Sequence, residues 1–203
     1  MVALLLVLML VIGCAVGGTL AWLIANSNQV VNTFTVGNIE LALIEESQET
    51  KYNVVPGTKQ TKDPYVQVAA NSESCWVFVK ITEANNDTGE TTEGAPQKYV
   101  QWEINSAWKA VDGATGVYYQ LHTEIDTPTN YPILNNDEVT YSSKLTKDML
   151  KNASNPTLTF QAYAIQSEAL KTSNGTEIST TGENVGSAAE AAWAVLNPAP
   201  AEP

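Results

Sequence analysis

Cys75-Trp76-Val77-Phe78-Val79-Lys80-Ile81-Thr82 is the stretch that decides the fold. Every second residue (Cys75, Val77, Val79, Ile81) is apolar, the period-two pattern of a strand lying on a core. Trp76 and Phe78 fall on the opposite face and are apolar too. A strand covered at least in part on both sides is therefore expected. Further short apolar alternations flank it at Tyr65 to Ala69, Tyr99 to Ile104, Gly116 to Thr123, Glu138 to Ser142 and Thr157 to Gln166. Turn chemistry separates them, as at Val54-Val55-Pro56-Gly57, and the spacing suits a sandwich or barrel. The fold class read from the residues is all-β.

Nearer the N-terminus, Val30, Phe34 and Val36 share one face of a strand from Gln29 to Val36, with Val31, Thr33 and Thr35 on the other. Gly37-Asn38 then resets the phase, and Ile39, Leu41 and Leu43 begin a second strand. Asn85 to Ala95 and Lys171 to Gly186 are polar and read as exposed loops. Two short helices are expected at the periphery. One spans Thr146 to Ala153. The other opens on a capping box, Ser187-Ala188-Ala189-Glu190, and ends at Asn197-Pro198, with Trp193 and Leu196 on the face that docks. Residues 198–203, rich in Pro and Ala, are expected to form a disordered tail.

No charged side chain precedes Glu40. Val2 to Val16 is almost wholly apolar, then fades through Gly17-Gly18-Thr19 into Asn26-Ser27-Asn28, which reads as a cleaved signal peptide over residues 1–21 rather than a retained span. No Lys or Arg precedes the apolar run, which leaves the true start of translation open. Lys and Arg total 10 against 22 for Asp and Glu, a net charge of −12. Phosphate binding needs a basic footprint, so nucleic acid is not an expected partner. After cleavage only Cys75 survives of the two cysteines, no intrachain disulfide can form, and Cys75 is expected to act as a small buried hydrophobe. A rival reading takes Val11-Ile12-Gly13-Cys14 as a lipobox, with Cys14 lipidated at the new N-terminus.

Catalytic triads and most zinc sites draw on histidine, and the chain has one, His122, in a strand end. H-E-x-x-H, C-x-x-C, G-x-S-x-G and phosphate-binding glycine loops are all missing. Neither an enzyme, a metal site nor a cofactor is expected. The acid pairs Glu45-Glu46 and Asp137-Glu138 read as solvated charge. Oxygen ligands in Asn85 to Glu90 lack EF-hand spacing. Sequons stand at Asn86, Asn152 and Asn174. Trp102, Trp108, Tyr118, Tyr119 and Tyr131 would make either core packing or an aromatic platform for a glycan.

Gly18-Thr19-Leu20-Ala21-Trp22-Leu23 and Asn32-Thr33-Phe34-Thr35-Val36-Gly37-Asn38-Ile39-Glu40-Leu41 resemble the N-terminal signature of the TasA/camelysin family of secreted matrix proteins. Val55-Pro56-Gly57, Lys62-Asp63-Pro64-Tyr65-Val66-Gln67-Val68, Ser74 to Lys80, Tyr163-Ala164-Ile165-Gln166 and Ala191-Ala192-Trp193 follow in that family's order. The resemblance implies a jelly-roll-like antiparallel β-sandwich over residues 39–197, with one or two peripheral helices. It implies cleavage between Ala21 and Trp22 by a SipW-type signal peptidase and export from a Gram-positive cell. It also implies a homopolymer: residues 22–38 of one subunit insert as a donor strand into the next, building extracellular biofilm-matrix fibres, with other matrix or cell-wall components as further partners. Trp22, Leu23, Val30, Val31, Phe34 and Val36 are the donor residues on this reading. Burial of Val30, Phe34 and Val36 at ~1.5 to 3 kcal/mol each supplies roughly 5 to 9 kcal/mol before ordering costs. Pairing of the same segment within its own sandwich is the alternative. A cell-surface lipoprotein or glycan-binding sandwich module is the competing function. The family's metalloprotease label finds no ligands here.

Overall fold

The computed structural model describes residues 33–36, 38–46, 55–92, 95–152, 156–168, 170–172, 175–180 and 185–197. Thirteen strands are named among them, with two short helices, and the architecture is an all-β sandwich. The expected strand at residues 75–82 forms the centre. It is β5 (Cys75–Ala84), paired over ten positions with β13 (Thr157–Gln166) on one side and over six with β10 (Val117–His122) on the other, both antiparallel. Outside β13 lies β1 (Thr33–Val36), and outside β10 lies β9 (Lys109–Ala110), which completes a five-stranded sheet in the order β1-β13-β5-β10-β9.

The facing layer is built from short strands laid end to end. β2 (Leu41–Glu45) pairs with β4 (Pro64–Val68), and β4 with β11 (Thr129–Pro132). β3 (Lys59–Thr61) pairs with β12 (Glu138–Tyr141), and β12 with β8 (Val100–Gln101). Backbone bonds bridge the gaps, from Lys62 N to the Asp137 carbonyl at 2.8 Å and from Ile133 N to the Pro64 carbonyl at 2.9 Å. Residues 59–68 and 129–141 thus run antiparallel as one kinked ribbon, interrupted by a 3-10 turn at Asn135–Asp137. Glycine is required at one strand approach. Gly116 has φ +73°, and a Cβ there would stand 2.4 Å from the Ile81 carbonyl oxygen.

Both faces of β5 are covered, as its sequence predicts. Cys75, Val77, Val79 and Ile81 join Leu41, Leu43, Val66, Val68, Ile133 and Phe160 in the core between the two sheets. Trp76 and Phe78 lie on the other side, under a helix, α2 (Val185–Leu196), which buries Ala189, Ala192 and Trp193 against them. Three layers result. A smaller cluster of Tyr99, Tyr141 and Leu145 packs beside α1 (Lys147–Asn152), the other expected helix.

Three expectations are corrected. Asn85 to Ala95 is not simply a loop, because β6 (Asp87–Thr92) pairs with β7 (Ala95–Lys98) as a hairpin. Its polar residues hide strand periodicity, and a buried Asn86 anchors its base, its amide nitrogen donating to the Val100 carbonyl and its oxygen accepting from the Val100 amide, each at 2.8 Å. Nor is Ser187 a helix cap. The helix begins at Val185, which places Ser187 inside the first turn. Third, Glu45 is not solvated, since it is paired with Lys62 at 2.7 Å, the two side chains 6% and 9% exposed. The expected tail at residues 198–203 and the apolar run at residues 2–16 lie outside the described residues. Among the described residues no helix is long and apolar enough to cross a membrane.

Candidate functional site

The edge of the five-stranded sheet where β1 lies is the part of the expected donor segment that the structure describes. β1 pairs with β13 in parallel, Thr33 opposite Ala162, Phe34 opposite Tyr163, Thr35 opposite Ala164 and Val36 opposite Ile165. It is the one parallel pair among the named strands, the others being antiparallel. Parallel ladders need a long crossover, and slanted bonds make them slightly weaker per residue. The receiving strand is well fixed by comparison, with Ala162, Ala164 and Ile165 buried.

Just beyond β1 the chain is clamped. Asn38 N donates to the Glu73 carboxylate at 3.3 Å, and Glu73 N returns a bond to the Asn38 carbonyl at 3.2 Å. Glu40 N donates to the Ser72 hydroxyl at 3.2 Å, and the Glu40 carbonyl accepts from Ala69 N at 2.9 Å. These contacts tie residues 38–40 to residues 69–73, so the segment before residue 38 departs from a fixed point. Of the expected donor residues, Phe34 and Val36 stand in β1. Trp22, Leu23, Val30, Val31 and the cleavage position Ala21-Trp22 lie outside the described residues. Sequence reading did not find the clamp, because the signal is a pairing across more than thirty positions rather than a motif.

The aromatic residues do not gather on a platform. Trp108 and Tyr119 are buried, in the inter-sheet core and the helix-covered core respectively, while Trp102, Tyr118 and Tyr131 are half-buried against the inter-sheet core. Trp102 does line a groove of about 630 Å³ with Lys59, Glu83, Lys98, Glu103 and Glu138. Four of these five charged groups pair with one another, and Glu103 accepts from the Asn135 amide at 3.1 Å. Lys59 pairs with Glu138, and Glu83 accepts from Lys98 at 2.8 Å, from Asn86 at 3.1 Å and from the Trp102 indole. Burial pushes the Glu83 carboxyl up, but these hydrogen bonds and the Lys98 charge outweigh it and hold the group below its ordinary value.

Cys75 is fully buried, and burial pushes its thiol up to about 12, which fits an inert core residue. His122 is buried as well. Among the described residues no cluster of three or more His, Cys, Asp or Glu could hold a metal, the Asn85 to Glu90 segment included. There, Asp87 accepts from Gly89 N at 2.8 Å within its own turn. The Asn86 sequon is closed to modification in the folded chain by the burial of its amide, and Asn174 lies outside the described residues.

A scan against protein-family models finds no match, and a search of the curated proteins finds none either. The resemblance to the TasA/camelysin family therefore stands on the quoted motifs alone.

Proposed function

We propose that the chain is a secreted, non-enzymatic structural subunit that self-assembles head to tail by donor-strand insertion into extracellular matrix fibres. The observation that carries this reading is β1, a four-residue edge strand held in parallel on β13 and preceded by an apolar segment. In the fold described here β1 closes the sheet of its own chain. A second copy of the same segment, arriving in the same direction, would satisfy the same backbone groups of β13, so exchange between copies conserves the hydrogen bonds. The clamp at Asn38 and Glu40 lets the base stay fixed while the segment before it changes partner. Strand exchange of this kind is a low-cost route to oligomers, and because donor and acceptor surfaces differ, the contact is head to tail and extends into a filament wherever successive copies do not close on one another. The family resemblance of residues 18–23 and 32–41 supports the same reading.

A lock on β1 tests it. Thr35 and Ala164 are register partners, so the pair Thr35→Cys and Ala164→Cys would bind β1 to its own β13 when oxidised. Filaments seen by electron microscopy are expected to vanish under oxidation and return on reduction. They are also expected to be lost when residues 22–36 are deleted from a chain that still folds. Filaments of normal abundance from the oxidised, internally locked chain would sink the proposal.

A further inference from the structure

His122 is the chain's single histidine, and it sits on a seam between the two sheets. It closes β10 directly opposite Cys75 of β5, so both side chains share one face at that end of the five-stranded sheet. Across the sandwich, its Nδ1 lies 2.9 Å from the Tyr131 hydroxyl on β11, with the rings edge to face at 6.1 Å. Tyr131 in turn meets Trp108 edge-on at 6.2 Å. The histidine is 3% exposed, and its Nε2 is buried without a hydrogen-bond partner.

The groups that face the ring give a positive charge nothing to pair with. From β5 comes the Cys75 thiol, pushed up to about 12 by burial. From β11 comes the Tyr131 phenol, pushed up to about 12 by burial and then by Cys75. Both stay neutral through the range where imidazole titrates. Glu124 and Asp126 lie exposed in the segment after β10, and the Glu73 carboxylate is engaged by the Asn38 amide. None of the ion pairs among the described residues includes His122.

We propose that His122 is an acid-sensitive latch between the sheets: neutral, it joins β10 to β11 through the Tyr131 hydroxyl; protonated, it brings an unpaired charge into apolar surroundings and loosens that end of the sandwich. Burial holds the imidazole below its ordinary value of 6.5, the direction this geometry requires. The unfolded chain takes up the proton first. Stability is therefore complete above about pH 6.5, falls as the pH drops below it, and stops falling once the native ring is protonated too. A single group raises the unfolding constant by up to about tenfold per pH unit across that window. β11 is the outermost strand of its sheet, so it is the element freed first.

The unaltered chain offers a direct test, because one histidine gives one assignable imidazole Cε1–H resonance. That resonance is expected to titrate below the ordinary value of 6.5. Urea unfolding from about pH 8 to about pH 5 is expected to show the chain losing stability relative to His122→Gln, by up to about tenfold in the unfolding constant per pH unit. Protection factors over residues 119–122 and 129–132, taken relative to the intrinsic exchange rate at each pH, should fall in step. A ring that titrates at or above 6.5, or parallel pH profiles for the two chains, would overturn the latch. If His122→Gln does not fold, the resonance and the exchange of the unaltered chain decide the matter between them.

Discussion

Lys62 shows how far a single charged residue can depart from its usual place. Its ammonium is buried beside the Glu45 carboxylate and 5.6 Å from the centre of the Phe160 ring, an ion pair that joins the end of β2 to the junction of β3 and β4. Such a pair contributes little net stability over an apolar replacement, but removing one partner strands the other charge out of water. Lys62→Met alone is expected to cost about 3–5 kcal/mol, read from the shift of the urea midpoint. The double variant Lys62→Met with Glu45→Leu should recover most of that loss. A double variant no more stable than the single one would show that the pair is more than a mutual neutraliser. Sequence alone did not reveal this pairing. Glu45 sits in an acidic pair at a strand end, and only the arrangement of β2 beside β4 brings Lys62 to it.

At the scale of elements, α2 covers the face of β5 that carries Trp76 and Phe78, with Val111, Leu170 and Ile178 packed into the same cluster. Trp193 packs against Phe78 at 5.4 Å and against Tyr163 at 5.1 Å, the latter edge to face. Trp193→Ala is expected to cost about 3–5 kcal/mol, the range for emptying a large aromatic from a core. Near-UV circular dichroism should report loss of the packed indole, and an unchanged urea midpoint would argue that the helix is not holding that face. This docking was legible in the sequence. Trp76 and Phe78 demanded a second cover, and Trp193 and Leu196 stood at helical spacing to provide it. The strands that escaped reading are the polar or very short ones: β3 (Lys59–Thr61), β9 (Lys109–Ala110), β11 (Thr129–Pro132) and the β6–β7 hairpin. Each is defined by hydrogen bonds to a neighbour, and backbone pairing leaves no trace in side-chain hydrophobicity. Of the proposed donor segment, residues 33–36 were legible as a strand. Their parallel register on β13 was not, since nothing local encodes the direction of a partner 129 positions away.

For the molecule as a whole, a net charge of −12 sets the terms on which identical copies meet. Like-charged subunits repel over roughly 30 Å at about 0.01 M salt but only about 8 Å at about 0.15 M. Assembly of the proposed filament, followed by light scattering, is therefore expected to quicken as salt rises across that range. A rate that is flat or falls with salt would mean that charge repulsion does not limit the encounter. The parallel alignment of β1 on β13 has a mechanical consequence of its own. Were a fibre linked through this contact with its axis along β1, tension would act lengthwise on the strand, so the rungs would be strained together in shear instead of opening one after another like a zip. Such a joint withstands steady traction well, yet parts easily when peeled from one end.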